Sequence, residues 1–277
     1  MQLRQRRAAL AAPLAALGVA ALAALLSAGC GSSGSDPTAR IRGVDLAATA
    51  GTAGVLANGT ALGGDLSFGQ GSSYQFVGPN LLIGGFTTST GASSTATITI
   101  PASPALRVST GSFYTAYLIG LAALPNVATG KPDPRLLQTV LTGDRGAAAG
   151  YSASAPYADP PAGAANVRLL NGAADAGTVD VLVNGKVLFP GVAYPALPVR
   201  AATADTSAPA VNPVTLYQVV PAGTLSVQVN AAGTATVLVP PTNVPVSGGK
   251  AYTLVVTEPT AAPAAPTYGI YTSGDQE

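Results

Sequence analysis

The chain repeats itself, and the repeat limits its fold more than any other feature. Residues 39–62 read A-R-I-R-G-V-D-L-A-A-T-A-G-T-A-G-V-L-A-N-G-T-A-L, and residues 165–188 read A-N-V-R-L-L-N-G-A-A-D-A-G-T-V-D-V-L-V-N-G-K-V-L. At a constant offset of 126 and without a gap, twelve of these 24 positions are identical. Composition alone gives about one identity in ten. The agreement continues with short gaps. Y-Q-F-V from Tyr74 matches Y-Q-V-V from Tyr217, and T-A-T-I-T-I-P from Thr95 matches T-A-T-V-L-V-P from Thr234. G-S-F-Y-T from Gly111 matches G-K-A-Y-T from Gly249, and the copies end in T-G-D at Asp144 and S-G-D at Asp275. The second copy carries an insertion within 196–213. A chain of 277 residues has room for one large or two ordinary domains, and the repeat points to two. The expected division is a leader over 1–29, a tether over 30–38, domains over 39–144 and 165–277, and a Pro- and Ala-rich linker over 145–164 that should be partly stiff and extended.

Each copy reads as β-structure. V-D-V-L-V-N-G-K-V-L-F places Asn184-Gly185 between two strand-like runs, a strong hairpin signal because both turn positions require positive φ. V-L-A-N-G-T-A-L repeats it at Asn58-Gly59. T-A-T-I-T-I, T-A-T-V-L-V and Y-T-L-V-V-T add near-alternating runs, and no amphipathic helical stretch follows the leader. Small, β-branched and turn-forming residues dominate, with 33 Gly, 23 Pro and no Trp. The expected fold is all-β: two tandem immunoglobulin-like antiparallel β-sandwich domains after a cleaved signal peptide, six to eight short strands in each.

The run N-x-R-L-L-N-G-A-A-D-A-G-x-V-D-V-L-V-N-G, with G-V-A-Y, P-A-G-T-L-S-V-Q-V and G-G-K-A-Y-T-L-V-V after it, resembles the bacterial secreted family called domain of unknown function 4397. The resemblance covers most of 165–277 and, more loosely, 39–144. It implies a sandwich fold and an extracytoplasmic location, and it brings no established activity. Where the family pattern has histidine, this chain has Asn171 in the second copy and Asp45 in the first. Where the family has Ser-Pro, it has Ala173-Ala174 and Ala47-Ala48. The two family acids survive as Asp175 and Asp180 but become Thr49 and Gly54 in the first copy.

The residue inventory restricts the chemistry. There is no histidine, so Ser-His-Asp and Cys-His nucleophile systems and imidazole-bound zinc are excluded. A single cysteine, Cys30, allows no intrachain disulfide and no thiolate cluster. Removing Arg4, Arg6 and Arg7 with the leader leaves ten basic residues against twelve acids, without basic clusters, which argues against nucleic acid as a partner.

The amino-terminal segment carries its own signal. M-Q-L-R-Q-R-R is basic, Ala8 to Leu26 is apolar apart from Pro13, and L-S-A-G-C closes the segment at Cys30. That close resembles the lipobox of bacterial lipoproteins, with Ser27 where leucine is usual. The resemblance implies cleavage before Cys30 and acylation of that residue. The alternatives are a plain secretory signal or an uncleaved helix. One acyl chain binds membranes marginally, at about 0.8 kcal/mol per buried CH₂, and two already hold firmly. G-S-S-G-S-D-P-T then forms a flexible tether spanning roughly 15 Å. Gly31 in place of aspartate resembles the outer-membrane sorting class of a Gram-negative host.

The remaining candidates are few. Asp175 and Asp180 are weak metal ligands: calcium takes six to eight oxygens, and two carboxylates without an acidic loop fall short. Turn stabilisation by Asp175 and a solvent-facing strand position for Asp180 are the simpler readings. Tyr74 and Tyr217, and Tyr114 and Tyr252, recur in both copies and suit core or strand-end packing better than a sugar-stacking surface. Tyr151 and Tyr157 in the linker are better placed for exposure. G-G-K at 248–250 and the Lys131 segment are loops, and the sequon at Asn58 is occupied by a hairpin turn. No catalytic residue, cofactor or metal is expected.

The functional expectation is a non-enzymatic cell-envelope lipoprotein, anchored by its amino-terminal lipid and acting as an adhesion, scaffold or binding module toward a protein or polysaccharide. Loops at one end of a sandwich, including 196–213, are the expected contact region. An accessory periplasmic lipoprotein that uses an exposed strand edge is the second reading. A hydrolase working from an acid pair is the third.

Overall fold

The structure is a computed structural model that describes residues 39–48, 50–78, 81–82, 84–89, 97–99, 106–107, 111, 113–121, 137–145, 159–195, 215–258 and 268–275. The leader, Cys30, the tether, Thr49, the Lys131 segment, linker residues 146–158 with Tyr151 and Tyr157, and the 196–213 insertion lie outside the described residues.

The first copy forms β1 (Ala39–Asp45), β2 (Thr52–Ala57), β3 (Thr60–Leu66), β4 (Gln75–Val77), β5 (Leu81–Leu82), β6 (Gly84–Ser89), β7 (Thr97–Thr99), β8 (Leu106–Arg107), β9 (Phe113–Ile119) and β10 (Gln138–Arg145). The second forms β11 (Ala164–Asn171), β12 (Val179–Val183), β13 (Lys186–Val192), β14 (Gln218–Pro221), β15 (Gly223–Ala231), β16 (Val237–Val246), β17 (Ala251–Thr257) and β18 (Gly269–Gly274). The first copy makes sheets ordered β10-β9-β1-β4 and β3-β2-β6-β7, and the second makes β18-β17-β11-β14 and β13-β12-β15-β16. The two orders are the same, strand for equivalent strand. β5 and β8 form an additional two-stranded sheet.

Among the described pairings, one in each sandwich departs from the antiparallel pattern. β1 runs parallel to β9, and β11 runs parallel to β17. A tight hairpin joins antiparallel strands, whereas parallel neighbours need a long crossover. Here the crossover is the facing sheet itself, since β2, β3, β6 and β7 lie between β1 and β9 in sequence.

Both Asn-Gly pairs form the tight turns of β2-β3 and β12-β13. Asn58 and Gly59 have φ of 50° and 78°, and Asn184 and Gly185 have 51° and 77°. Only Asn and Gly take such angles in succession at small cost, so the turn fixes the hairpin register. Register and alternation then decide burial. In β12, Val179, Val181 and Val183 are buried and Asp180 and Leu182 only partly so. The second core gathers these valines with Val167, Leu169 and Leu254. The first gathers Ile41, Val55, Phe86, Tyr114 and Leu118. It is tighter at β1, because a Cβ on Gly43 would stand 1.9 Å from Val55 Cγ2. Each fully buried Val or Leu contributes about 1.5–3 kcal/mol relative to exposure, so these two cores dominate the stability.

The two sandwiches touch. Residues 37–277 form one compact unit. Alternate residues of β1 face opposite ways: Ile41 points into its own core, and Val44 joins a third apolar cluster. That cluster combines Val44, Leu46, Tyr117, Ile119 and Val140 of the first copy with Leu170 and Val255 of the second. The sheets that contain the parallel pairs therefore pack against one another, giving four sheet layers and a middle interface with its own core. Gln138 strengthens this contact, its Nε2 donating to the Pro195 carbonyl across the interface at 2.8 Å.

Candidate functional site

The same alternation that sends Val44 and Leu170 into the interface sends Arg42 and Arg168 there two residues earlier. Each arginine pairs in register with a threonine on its parallel neighbour, Arg42 with Thr115 and Arg168 with Thr253. Arg42 Nε donates to Thr115 Oγ1 at 2.9 Å, and Arg168 Nε donates to Thr253 Oγ1 at 2.8 Å. Each threonine donates in turn to an aspartate at the end of its own sandwich's last strand: Thr115 to Asp144, and Thr253 to Asp275 at 2.8 Å.

The arginines then cross. Arg168 Nη2 lies 2.7 Å from Asp144 Oδ1, and Arg42 Nη2 lies 3.8 Å from Asp275 Oδ1. Arg168 Nη1 donates to the Gly143 carbonyl at 2.7 Å, and Arg42 Nη2 donates to the Gly274 carbonyl and to Ser273 Oγ. The guanidiniums lie over tyrosine rings, Arg42 4.8 Å from the Tyr74 centroid and Arg168 4.7 Å from that of Tyr217. Tyr74 donates to Asp144 at 3.3 Å, and Tyr217 donates to Asp275 at 2.7 Å. The result is a closed ring of two cations and two anions in which every group has its counterpart in the other copy. A contact of this form, residue i to j′ and j to i′, has the pattern of a two-fold dimer interface.

The ring is deeply buried. Arg168, Asp144 and Asp275 are inaccessible, and only Arg42 keeps a margin, its side chain 13% exposed. Burial alone would lower the Arg42 pKa, but the facing Tyr74, Tyr117, Asp144 and Asp275 reverse this and raise it. Burial pushes Asp144 up, and the neighbouring Asp275 adds to the effect while Arg168 and Arg42 oppose it. Tyr74 and Tyr217 are driven upward by burial and remain neutral donors. Desolvating four charges roughly cancels their mutual attraction, so the ring contributes orientation more than net stability. The Tyr117 hydroxyl, buried beside it, has no hydrogen-bond partner among the described residues.

The sequence-selected residues divide. Tyr74 and Tyr217 belong to the ring, so neither forms a stacking platform. Tyr114 is fully buried in the first core, while Tyr252 is half-buried and accepts from the Ser247 amide at 2.9 Å. Asp175 sits exposed on a single 3-10 turn, Ala174–Ala176, and its amide donates to Glu258 Oε1 at 2.9 Å. Asp180 engages both oxygens with backbone amides, Gly191 at 2.7 Å and Gly233 at 2.8 Å, and these bonds lower its pKa. Its carboxylate thus ties β13 to the turn after β15. Among the described residues no group of three or more Cys, Asp or Glu is placed to hold a metal ion.

The positions where the family pattern has histidine are equivalent in space. Asn171 Oδ1 accepts from the Ala173 amide at 3.2 Å, and its Nδ2 donates to the Gly177 and Val192 carbonyls at 2.7 and 3.1 Å. Asp45 Oδ1 accepts from the Ala47 amide at 3.0 Å in the same way, but its buried Oδ2 has no hydrogen-bond partner among the described residues. Burial raises the Asp45 pKa to about 6.

The ring itself was missed by pattern reading, although a signal existed. Charged residues make up only 9% of the chain. Arginine nevertheless recurs at equivalent positions 42 and 168, and both copies end on aspartate. Fold and site together define a tandem β-sandwich protein whose halves meet through buried charge. A family model described as "Domain of unknown function (DUF4397)" matches residues 165–272, the extent of the second sandwich. No curated protein matches the chain.

Proposed function

We propose that the protein is a non-enzymatic, lipid-anchored cell-envelope protein whose paired sandwiches form one binding or scaffolding body. The observation that carries this reading is the ring: Arg42, Arg168, Asp144 and Asp275 are committed to one another, buried, and serve assembly. The first sandwich shares strand order and ring residues with the second, which supports assigning it to the same family as residues 165–272. The basic leader and L-S-A-G-C support acylation of Cys30 and retention at the envelope, at the outer membrane in a Gram-negative host. A two-carboxylate hydrolase finds less support, since Asp180 is occupied by the backbone.

Cys30→Ala tests the anchor. The variant should lose metabolic acyl labelling and leave the membrane fraction, and unchanged attachment would refute the lipoprotein reading. Crosslinking in live cells followed by affinity isolation then tests the binding role, with recovery of a specific envelope protein or polysaccharide as the expected result.

A second reading, an accessory factor that engages a partner strand, is favoured by one observation. Among the described residues, the edge strands β4 and β14 carry Phe76 and Val219 at equivalent positions, 64% and 66% exposed, and Leu216, two residues before β14, is 65% exposed. Such an edge can accept an added strand. Protease shaving of intact cells separates the two readings, because it degrades a surface adhesin and spares a periplasmic factor.

A further inference from the structure

The charge ring is indifferent to which halves meet. Each half supplies an arginine and an aspartate in equivalent places, so two first halves or two second halves would bring the same complement of charges together. The apolar part of the interface does discriminate. Leu46 and Gly172 are equivalent, since Leu46 N donates to the Leu118 carbonyl and Gly172 N to the Val256 carbonyl, both at 2.9 Å. Ile119 and Thr257 are likewise equivalent, one residue beyond those carbonyls.

Gly172 lies between its own half and Ile119 of the other: a Cβ there would stand 3.0 Å from Val255 Cγ1 and from the Val256 carbonyl oxygen of its own half, and 3.1 Å from Ile119 Cγ2. At the corresponding place, Leu46 lines a cleft of about 270 Å³ with Thr257, Glu258, Ile270 and Tyr271 of the other half. The first half therefore brings two large residues, Leu46 and Ile119, and the second brings two small ones, Gly172 and Thr257. Unlike pairing sets Ile119 against Gly172 and places Leu46 and Thr257 on the walls of one cleft. Pairing of first halves would set Leu46 against Ile119 twice, and pairing of second halves would set Gly172 against Thr257 and lose the Ile119 contact on both sides. Overpacking and cavities are both unfavourable in a close-packed interface.

We infer that the two faces recognise each other as separate proteins would: the second half is built to bind a first-half face, and Gly172 with Ile119 sets that choice independently of the connecting chain. Steric exclusion of like pairs, with attraction common to all pairs, is a general route to specificity.

The test uses the full chain with a protease site inserted between Gly146 and Ala158. After cleavage the halves should remain associated at micromolar concentration in gel filtration and native mass spectrometry. Separation, or second halves pairing with each other as tightly as with first halves, would overturn the inference. Gly172→Leu should weaken association of the cleaved halves by roughly ten- to a hundred-fold, the span expected for overpacking. Adding Ile119→Ala to the same chain should restore part of it, since Val255 Cγ1 and the Val256 carbonyl oxygen of the same half stay in place. Circular dichroism of the single variant reports whether the sandwiches remain folded. Failure of the second substitution to rescue association, with the sandwiches intact, would also overturn the assignment.

Discussion

Arg168 of the second sandwich donates to Asp144 of the first at 2.7 Å, and both are inaccessible to solvent. The equivalent pair, Arg42 and Asp275, stands at 3.8 Å with the arginine side chain 13% exposed. Removing one partner of a buried pair strands the other charge, at a cost of about 3–5 kcal/mol. Arg168→Ala should therefore destabilise the protein by about that much in urea unfolding. Arg42→Ala should cost clearly less, since its geometry is looser and solvent can reach the gap. Equal losses for the two variants would mean that the ring is not asymmetric in solution.

Tyr117 offers the opposite sign. Its ring belongs to the interface cluster, while its hydroxyl is buried without a hydrogen-bond partner among the described residues. An unpaired buried hydroxyl carries a desolvation penalty that phenylalanine does not. Tyr117→Phe should hold or raise the melting temperature. A fall of several degrees would show that the hydroxyl has found a partner in solution.

Asp45 predicts a pH dependence. Its folded-state pKa, about 6, is raised by burial above the usual carboxylate value of 3.8. The native state therefore holds the proton more tightly than the unfolded chain does. The stabilisation this provides is complete below the unfolded value and is lost as pH rises through about 6. Asn171 shows what the site prefers, an amide that donates to two carbonyls. Asp45→Asn should raise the melting temperature at pH 7.5, roughly one to two units above the native pKa, and leave it little changed near pH 4. A stability difference that does not vary across this range would contradict the assignment.

Asp180 behaves as a conventional carboxylate anchor. Its pKa is lowered by the amides of Gly233 and Gly191, so its contribution is present above the unfolded value and is lost as pH falls through the lowered one. Asp180→Ala should loosen β13 and the turn at Gly233, measurable as faster amide exchange at Gly191 and Gly233. Millimolar calcium should not shift the melting temperature of the wild type, because both carboxylate oxygens already accept backbone hydrogen bonds. A calcium-dependent rise abolished by Asp180→Ala would restore the metal reading.

Much of the local structure was legible in the residues. Asn58-Gly59 and Asn184-Gly185 announce their turns, because few other pairs tolerate two positive φ values in succession. The alternation in V-D-V-L-V separates the buried valines from Asp180. The 126-residue offset foretells two like sandwiches, and the sheets repeat strand for strand. The parallel neighbours β1 and β9 were not legible, because a hairpin pattern records only adjacent strands. Nor was the employment of Tyr74 and Tyr217: recurrence marked them as structural, but the aspartate each serves lies 70 and 58 residues away in sequence.

The sequence by itself determined a repeated β unit, its turns and the lack of any histidine. The tertiary structure alone decided what the few charges are for. Period-two alternation says that Arg42 and Val44 share a face, but that face looks like a solvent-facing one until another sheet covers it. Arg42 and Ser273 meet across 231 residues. Burying four charges is tolerable only when all arrive together in the right places, and that condition belongs to the packing of two whole sandwiches.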